Sequence, residues 1–368
     1  MAGGLRTAAW RALCAAGLLT CAATASAYAQ NGYWHGALNA NWNQGVTTGG
    51  GASNWYSEPP SPPASGTPLP VPAGVAVFAA GGLSSVVITK DTRIATMRLA
   101  PDAPQYFFSI SGEDRTLDID GKGIINQSQA RAPRIVISDR AILQFHNSAR
   151  IVAGDGNNGA EFTIVGGILK FRGESNGGHA TVYNANNNQP HIGRIVFVGH
   201  SSAAHMRIRN VGPAHIAFSG QSTAGNAHLV NEADFFTQKK PVILFVGTGP
   251  AGDGRTTAGR ITNDAGTVLI GGQVKLTVLE DFTQRANGSL YFSLGTTGAG
   301  SIHVKGTSKL AGELIVNNGQ IAGRHVLFRA AGARTGVFSK VRFTEFAAGL
   351  KGRVAYMGRD VVLFIEPK

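Results

Sequence analysis

From Val75 to the C-terminus the chain alternates short apolar runs with turns rich in Gly and Asn. Inside those runs apolar and polar positions alternate, which is the period of a half-buried strand. No stretch keeps apolar residues at i, i+3, i+4 and i+7 over three turns, so long amphipathic helices are not expected. The pattern predicts an all-β chain of short, closely spaced strands.

Three segments align without a gap: Phe171, Gly173, Ser175 and Asn184; Phe197, Gly199, Ser201 and Asn210; Phe218, Gly220, Ser222 and Asn231. Each places Gly two, Ser four and Asn thirteen residues after Phe. An aliphatic residue stands two before each Phe (Leu169, Ile195, Ile216), and pairs follow at nine and eleven (Ala180 and Val182, Met206 and Ile208, Ala227 and Leu229). A unit therefore reads as a strand ending at Phe, a Gly/Ser turn, a second strand with two inward residues, and an Asn-marked turn. The Phe-to-Phe spacings of 26 and 21 residues are too short for a propeller blade and suit one coil of a parallel β-helix. Ile243, Phe245, Gly247, Ile261 and Asn263 fit a fourth coil whose turn is five residues longer. Stacking would set the Phe residues in an internal column and the Asn residues in a turn ladder.

One such coil cannot bury its own apolar face, so neighbours must cover it and both ends need caps. The expected fold is a single right-handed parallel β-helix, a β-solenoid, of roughly eight to twelve coils. Its repeats are assigned to residues 75–335. Residues 30–74 hold Trp34, Trp42 and Trp55, then a Pro-dense stretch from Pro59 to Pro72, and read as an N-terminal cap and linker or edge-covering loop. Residues 336–368, with the run Val361 to Ile365, read as closing rungs.

Composition supports turns and short strands: Gly accounts for 50 of 368 residues, and charged residues for only 15%. The N-terminus sets the expected compartment. Arg6 and Arg11, the apolar stretch Ala12 to Thr24, and the small-residue patterns ending at Ala27 and Ala29 have the order of a secretory signal over residues 1–29. Cys21 follows Leu18, Leu19 and Thr20, a poor context for lipidation. Both cysteines, Cys14 and Cys21, fall inside that signal, so the remaining chain can form no disulfide, thiolate metal site or cysteine nucleophile. No transmembrane segment is expected after it. Removing Arg6 and Arg11 takes the formal charge from +12 to 12 − 2 = +10, spread along the chain, which suits a basic surface or affinity for anionic polymers.

Chemical motifs are few. Gly247-Thr248-Gly249-Pro250-Ala251-Gly252 follows an apolar run, but a dinucleotide site would need a helix next, and the repeat already accounts for Gly247. Asp118-Ile119-Asp120-Gly121 and the loop Gly154 to Gly159 have the residues of calcium loops without the full spacing, and read as exposed turns. His179 and His205 each stand eight after their Phe and should point outward side by side, although the third coil has Asn226 there. Glycoside cleavage needs two acids on one cleft. Glu161, Glu174, Glu232, Asp234, Asp253 and Asp264 show no such pairing between neighbouring coils. No G-x-S-x-G or H-E-x-x-H is present. No cofactor, metal or specific nucleic acid is expected.

Trp34-His35-Gly36, Trp42 and Asn54-Trp55, with Phe218-Ser219-Gly220-Gln221-Ser222-Thr223-Ala224-Gly225-Asn226-Ala227, resemble the openings and repeats of autotransporter passenger domains with autotransporter-associated β-strand repeats. Gly336-Val337-Phe338, Val354-Ala355-Tyr356 and Asp360-Val361-Val362-Leu363 look like the closing rungs of such passengers. The resemblance implies a surface or extracellular, adhesin-like binding and structural protein whose partners are anionic glycans or host and matrix surfaces. Such proteins continue into an outer-membrane β-barrel. No barrel-like strands precede Lys368, so a separate translocator, release or a periplasmic location is expected. The alternative function is a β-helical lyase or hydrolase acting on polysaccharide.

Overall fold

The structure is a computed structural model that describes residues 30–46, 51–60, 66–154, 159–185, 190–234, 239–247, 254–272, 274–295 and 298–368. The signal segment, most of the Gly154 to Gly159 loop and residues 248–253 of the Gly-rich run lie outside that set. Among the described residues there is no helix; parallel coils stack into a β-solenoid of about nine turns.

Period-2 alternation explains the wall. Ile168–Phe171, Arg194–Phe197, His215–Gly220 and Val242–Gly247 pair in parallel, in the register Leu169, Ile195, Ile216, Ile243 and Phe171, Phe197, Phe218, Phe245. Every second side chain therefore enters the interior, where all eight of these residues are essentially inaccessible. The phenylalanines form the predicted column, and Phe145 extends it by one coil. Successive ring centroids from Phe145 to Phe245 lie 4.7–5.0 Å apart, with planes within 4–9° of parallel. Phe245 and Gly247 pair with Phe218 and Gly220, and Asn263 with Asn231, as the longer fourth coil requires.

The asparagines correct one expectation. They do not mark turns. Asn184, Asn210, Asn231 and Asn263 sit within strands Thr181–Ala185, Arg207–Val211, His228–Glu232 and Arg260–Ile270, fully buried and pointing inward. A buried amide must find partners. Each donates to the next coil, and the group also reaches backbone carbonyls where the chain turns the corner, including His215, Val242, Thr267 and Ser289. The need for a donor at that corner, rather than turn chemistry, selects Asn.

A second correction concerns Asp118-Ile119-Asp120-Gly121, read from sequence as an exposed turn. Asp118 and Ile119 pair with Arg93 and Ile94 inside strand Thr116–Asn126, whereas Asp120 and Gly121 fall in the break of that pairing between Ile119 and Gly123, and both carboxylates lie on the outer face. Outward polar side chains in a parallel wall supply the same residue types that a turn would.

At the N-terminal end Gly32–Trp34 pairs in parallel with Val75–Phe78, and Trp55–Tyr56 joins both Gly32–Trp34 and Pro68–Leu69 in antiparallel fashion. Trp34, Trp42 and Trp55 are fully buried against Phe78, so this segment covers the first coil. Two indoles find acceptors: Trp34 donates to the Leu83 carbonyl at 2.7 Å and Trp55 to the Trp42 carbonyl at 2.8 Å. At the other end Lys340–Thr344 is a parallel rung, but Leu350–Met357 and Asp360–Pro367 form an antiparallel hairpin laid on Gly323–Ala330. The two-residue turn with Gly358 at φ +58° favours that reversal.

Candidate binding face

The outer surface carries the candidate chemistry. On one wall Thr181, Arg207, His228 and Arg260 are aligned from coil to coil. Two residues before the first three stand His179, His205 and Asn226, all exposed. Three consecutive coils thus each present two outward polar side chains. The imidazoles of His179 and His205 stack with centroids 4.7 Å apart and planes 3° from parallel. These pairs, with Glu280, line an open cleft of about 660 Å³. Glu280 closes its far end, 3.3 Å from His228 Nε2 and 2.9 Å from the Arg260 guanidinium.

Beyond Arg260 a second open cleft continues over Thr262, Thr283, Arg285, Lys309 and Thr335. Here Asp281 is held below the usual carboxylate range. The Thr307 backbone N–H donates to it at 2.8 Å, the Thr307 hydroxyl adds a second bond at 2.8 Å, and Arg260 and Lys309 are nearby. On the outer side of the phenylalanine-bearing strands, burial and then Arg194 hold the His215 imidazole below its ordinary value, and burial and then Arg172 lower the Lys170 ammonium.

Carboxylates elsewhere are tied to cations of neighbouring rungs. Asp120 meets Arg93 at 2.6 Å, Glu161 meets Arg134 at 3.0 Å, and Glu232 meets Arg209 at 2.6 Å. Asp264 meets Arg285 and Asp360 meets Arg329, each at 2.7 Å. All are at least partly exposed, so solvent screening leaves each a weak contributor to stability. Their larger effect is on surface charge, because each of these acids faces solvent with a counter-charge beside it. Asp118 and Asp120 share one face of a strand, yet Asp120 is paired as above, and Asp118 accepts from Gln144 and lies 3.3 Å from His146 Nε2.

The predicted repeat residues are architectural. Gly173, Gly199 and Gly220 take φ of +63°, +69° and +65° at the corner after the phenylalanine column. Ser175, Ser201 and Ser222 are buried just beyond, where Ser222 donates to the Phe197 and Ser219 carbonyls at 3.1 and 2.8 Å. His179 and His205 stand outward and adjacent as expected, whereas Arg207, His228 and Glu280 were not singled out. A strand at Arg255–Ala258, not a helix, follows the Gly-rich run, which removes the geometry a dinucleotide site needs. Of the remaining acids in the sequence reading, Asp253 lies outside the described residues. No set of three or more His, Cys, Asp or Glu among the described residues can hold a metal ion.

The fold and its surface define a parallel β-solenoid with a basic, imidazole-rich face. No family model matches the chain, and neither curated proteins nor solved structures give a significant match.

Proposed function

We propose that the chain is an exported, passenger-like β-solenoid that works as an adhesin-like binding and structural module at the cell surface or outside the cell. The observation that carries this is the open cleft of His179, His205, Arg207, Asn226 and His228, on a surface where Asp120, Glu161 and Glu232 are already paired to arginine. Such a face can hold an anionic or hydroxylated ligand through many modest contacts. The N-terminal order of residues 1–29 and the lack of cysteine after it agree with export. The test is location: a C-terminally tagged chain is followed by fractionation of its native host and by external protease on intact cells. Cleavage on intact cells, or release into the medium, supports the proposal. Protection within the periplasm overturns it.

A polysaccharide-cleaving enzyme is the second reading, favoured by one observation: Asp118 and Asp120 lie side by side on the outer face of Thr116–Asn126, with His146 on the next rung. Release of new reducing ends that is lost in Asp118→Asn would establish it.

A further inference from the structure

We propose that the His179–His228 cleft binds a linear acidic polysaccharide of the uronate class, laid along the solenoid axis with about one sugar per coil. This rests on the solenoid being a binding module and names what that module holds.

The geometry carries the assignment. Coils repeat about every 4.8 Å, a length comparable to what one pyranose adds to an extended glycan. Three consecutive coils present matched pairs: His179 with Thr181, His205 with Arg207, and Asn226 with His228. A chain lying along the wall would meet two polar groups per sugar, of the kinds a uronate needs. Imidazole, hydroxyl and amide can donate to or accept from ring hydroxyls, and the exposed Arg207 guanidinium offers the fork that engages a carboxylate. The stacked rings of His179 and His205 form a continuous strip beside that guanidinium.

Glu280 sets the boundary. It occupies the end of the cleft and keeps Arg260 at 2.9 Å and His228 at 3.3 Å, so a ligand carboxylate arriving there meets a like charge. The site is therefore about three sugars long. A single-stranded nucleic acid fits less well, because such ligands draw on aromatic stacking platforms and no Phe, Tyr or Trp lines this cleft.

The test uses the chain with an oligogalacturonate ladder, neutral cello-oligosaccharides and a single-stranded oligodeoxynucleotide, followed by calorimetry at matched ionic strength. Affinity for galacturonate should rise with length to about three or four sugars and then level off, well above both comparison ligands. Arg207→Gln should weaken it about tenfold, the scale of one charge-assisted hydrogen bond. Glu280→Gln should strengthen it several-fold, a gain that loss of structure could not produce. Lys351→Gln, on the exposed C-terminal hairpin, should change it less than twofold. Equal weakening by Arg207→Gln and Lys351→Gln, or equal affinity for the oligodeoxynucleotide, would overturn the assignment while leaving surface location as a separate result. Cleavage of the oligomer during titration would instead overturn the binding-module proposal.

Discussion

The side-chain amide of Asn184 donates to Asn210 Oδ1 at 2.8 Å although 26 residues separate the two in sequence. The relay runs one way along the solenoid. Asn210 donates to Asn231 at 2.9 Å, Asn231 to Asn263 at 3.2 Å and Asn263 to Gln284 at 3.3 Å, and Gln284 ends on the carbonyls of Ala311 and Glu313. Its first oxygen, Asn184 Oδ1, is buried with no partner. Interior and terminal members of this relay should therefore differ in their energetic weight.

Asn210→Ala removes a donor and an acceptor at once, leaving Asn231 Oδ1 and the corner carbonyls of Ala214 and Val242 without that amide. Buried groups left unpaired cost about 1–3 kcal/mol each, so the total should be several kcal/mol. Asn184→Ala breaks only the donor side and should cost clearly less. Urea midpoints of the two variants check this. Equal midpoints would mean that the relay is not cooperative.

The phenylalanine column makes the second prediction. Phe197 is its middle ring, fully buried, with Phe171 and Phe218 at 4.8 and 4.7 Å. Phe→Ala in a core costs about 3–5 kcal/mol, and Phe197→Ser adds an unpaired hydroxyl. This variant should be among the least stable of all single substitutions. His179→Ala, whose side chain is exposed, should melt like the parent. A Phe197→Ser chain that also melts like the parent would show that the ring is not in the column.

The coil pattern was legible because stacking demands the same residue types at equivalent rungs, and Phe, Gly and Asn each answer a distinct demand there. Phe145 escaped notice because Asn147 stands two residues later where the later coils have Gly, yet it reaches the same left-handed backbone with φ +52°. The cleft was only half legible. His179 and His205 share a position in the repeat, but His228 meets Glu280 across 52 residues. Turns of unequal length between those coils hide that proximity from any fixed spacing. Asp118 and Asp120 misled for another reason: Asp beside Gly is ordinary turn chemistry, and nothing local distinguishes it from the outer face of a strand.

The same corner supports a backbone prediction. A side chain added at Gly199 would meet Gly173 backbone no closer than 3.5 Å, so space is adequate and the obstacle is its φ of +69°. Gly199→Asn should cost little, as Asn tolerates this region and Asn147 already occupies it one coil pair earlier. Gly199→Val, β-branched at positive φ, should cost at least about 1–2 kcal/mol more. A thermal melt of both variants decides it; identical melting temperatures would mean that the corner can relax to negative φ.

Stability should fall in two steps on acidification, because two kinds of group are displaced from their ordinary titration. His215 is held below its ordinary value of 6.5 by burial and by Arg194, so between that value and its folded one the unfolded chain binds the proton that the folded chain refuses. Its contribution is thus complete above about pH 6.5 and shrinks as the pH drops below it. Asp281, bonded by Thr307, and Asp360, bonded by Arg329, are depressed carboxylates. Their contributions are present above about pH 4, the ordinary carboxylate range, and are lost as the pH falls through their lower folded values. Urea midpoints from pH 8 to pH 3 should show a first decline beginning near 6.5 and a second below about 4. His215→Gln should abolish the first decline and leave the second. Asp281→Asn should lower the midpoint slightly at neutral pH, since its carboxylate is largely exposed, and converge with the parent in acid. A first decline that survives His215→Gln would assign that step to another group.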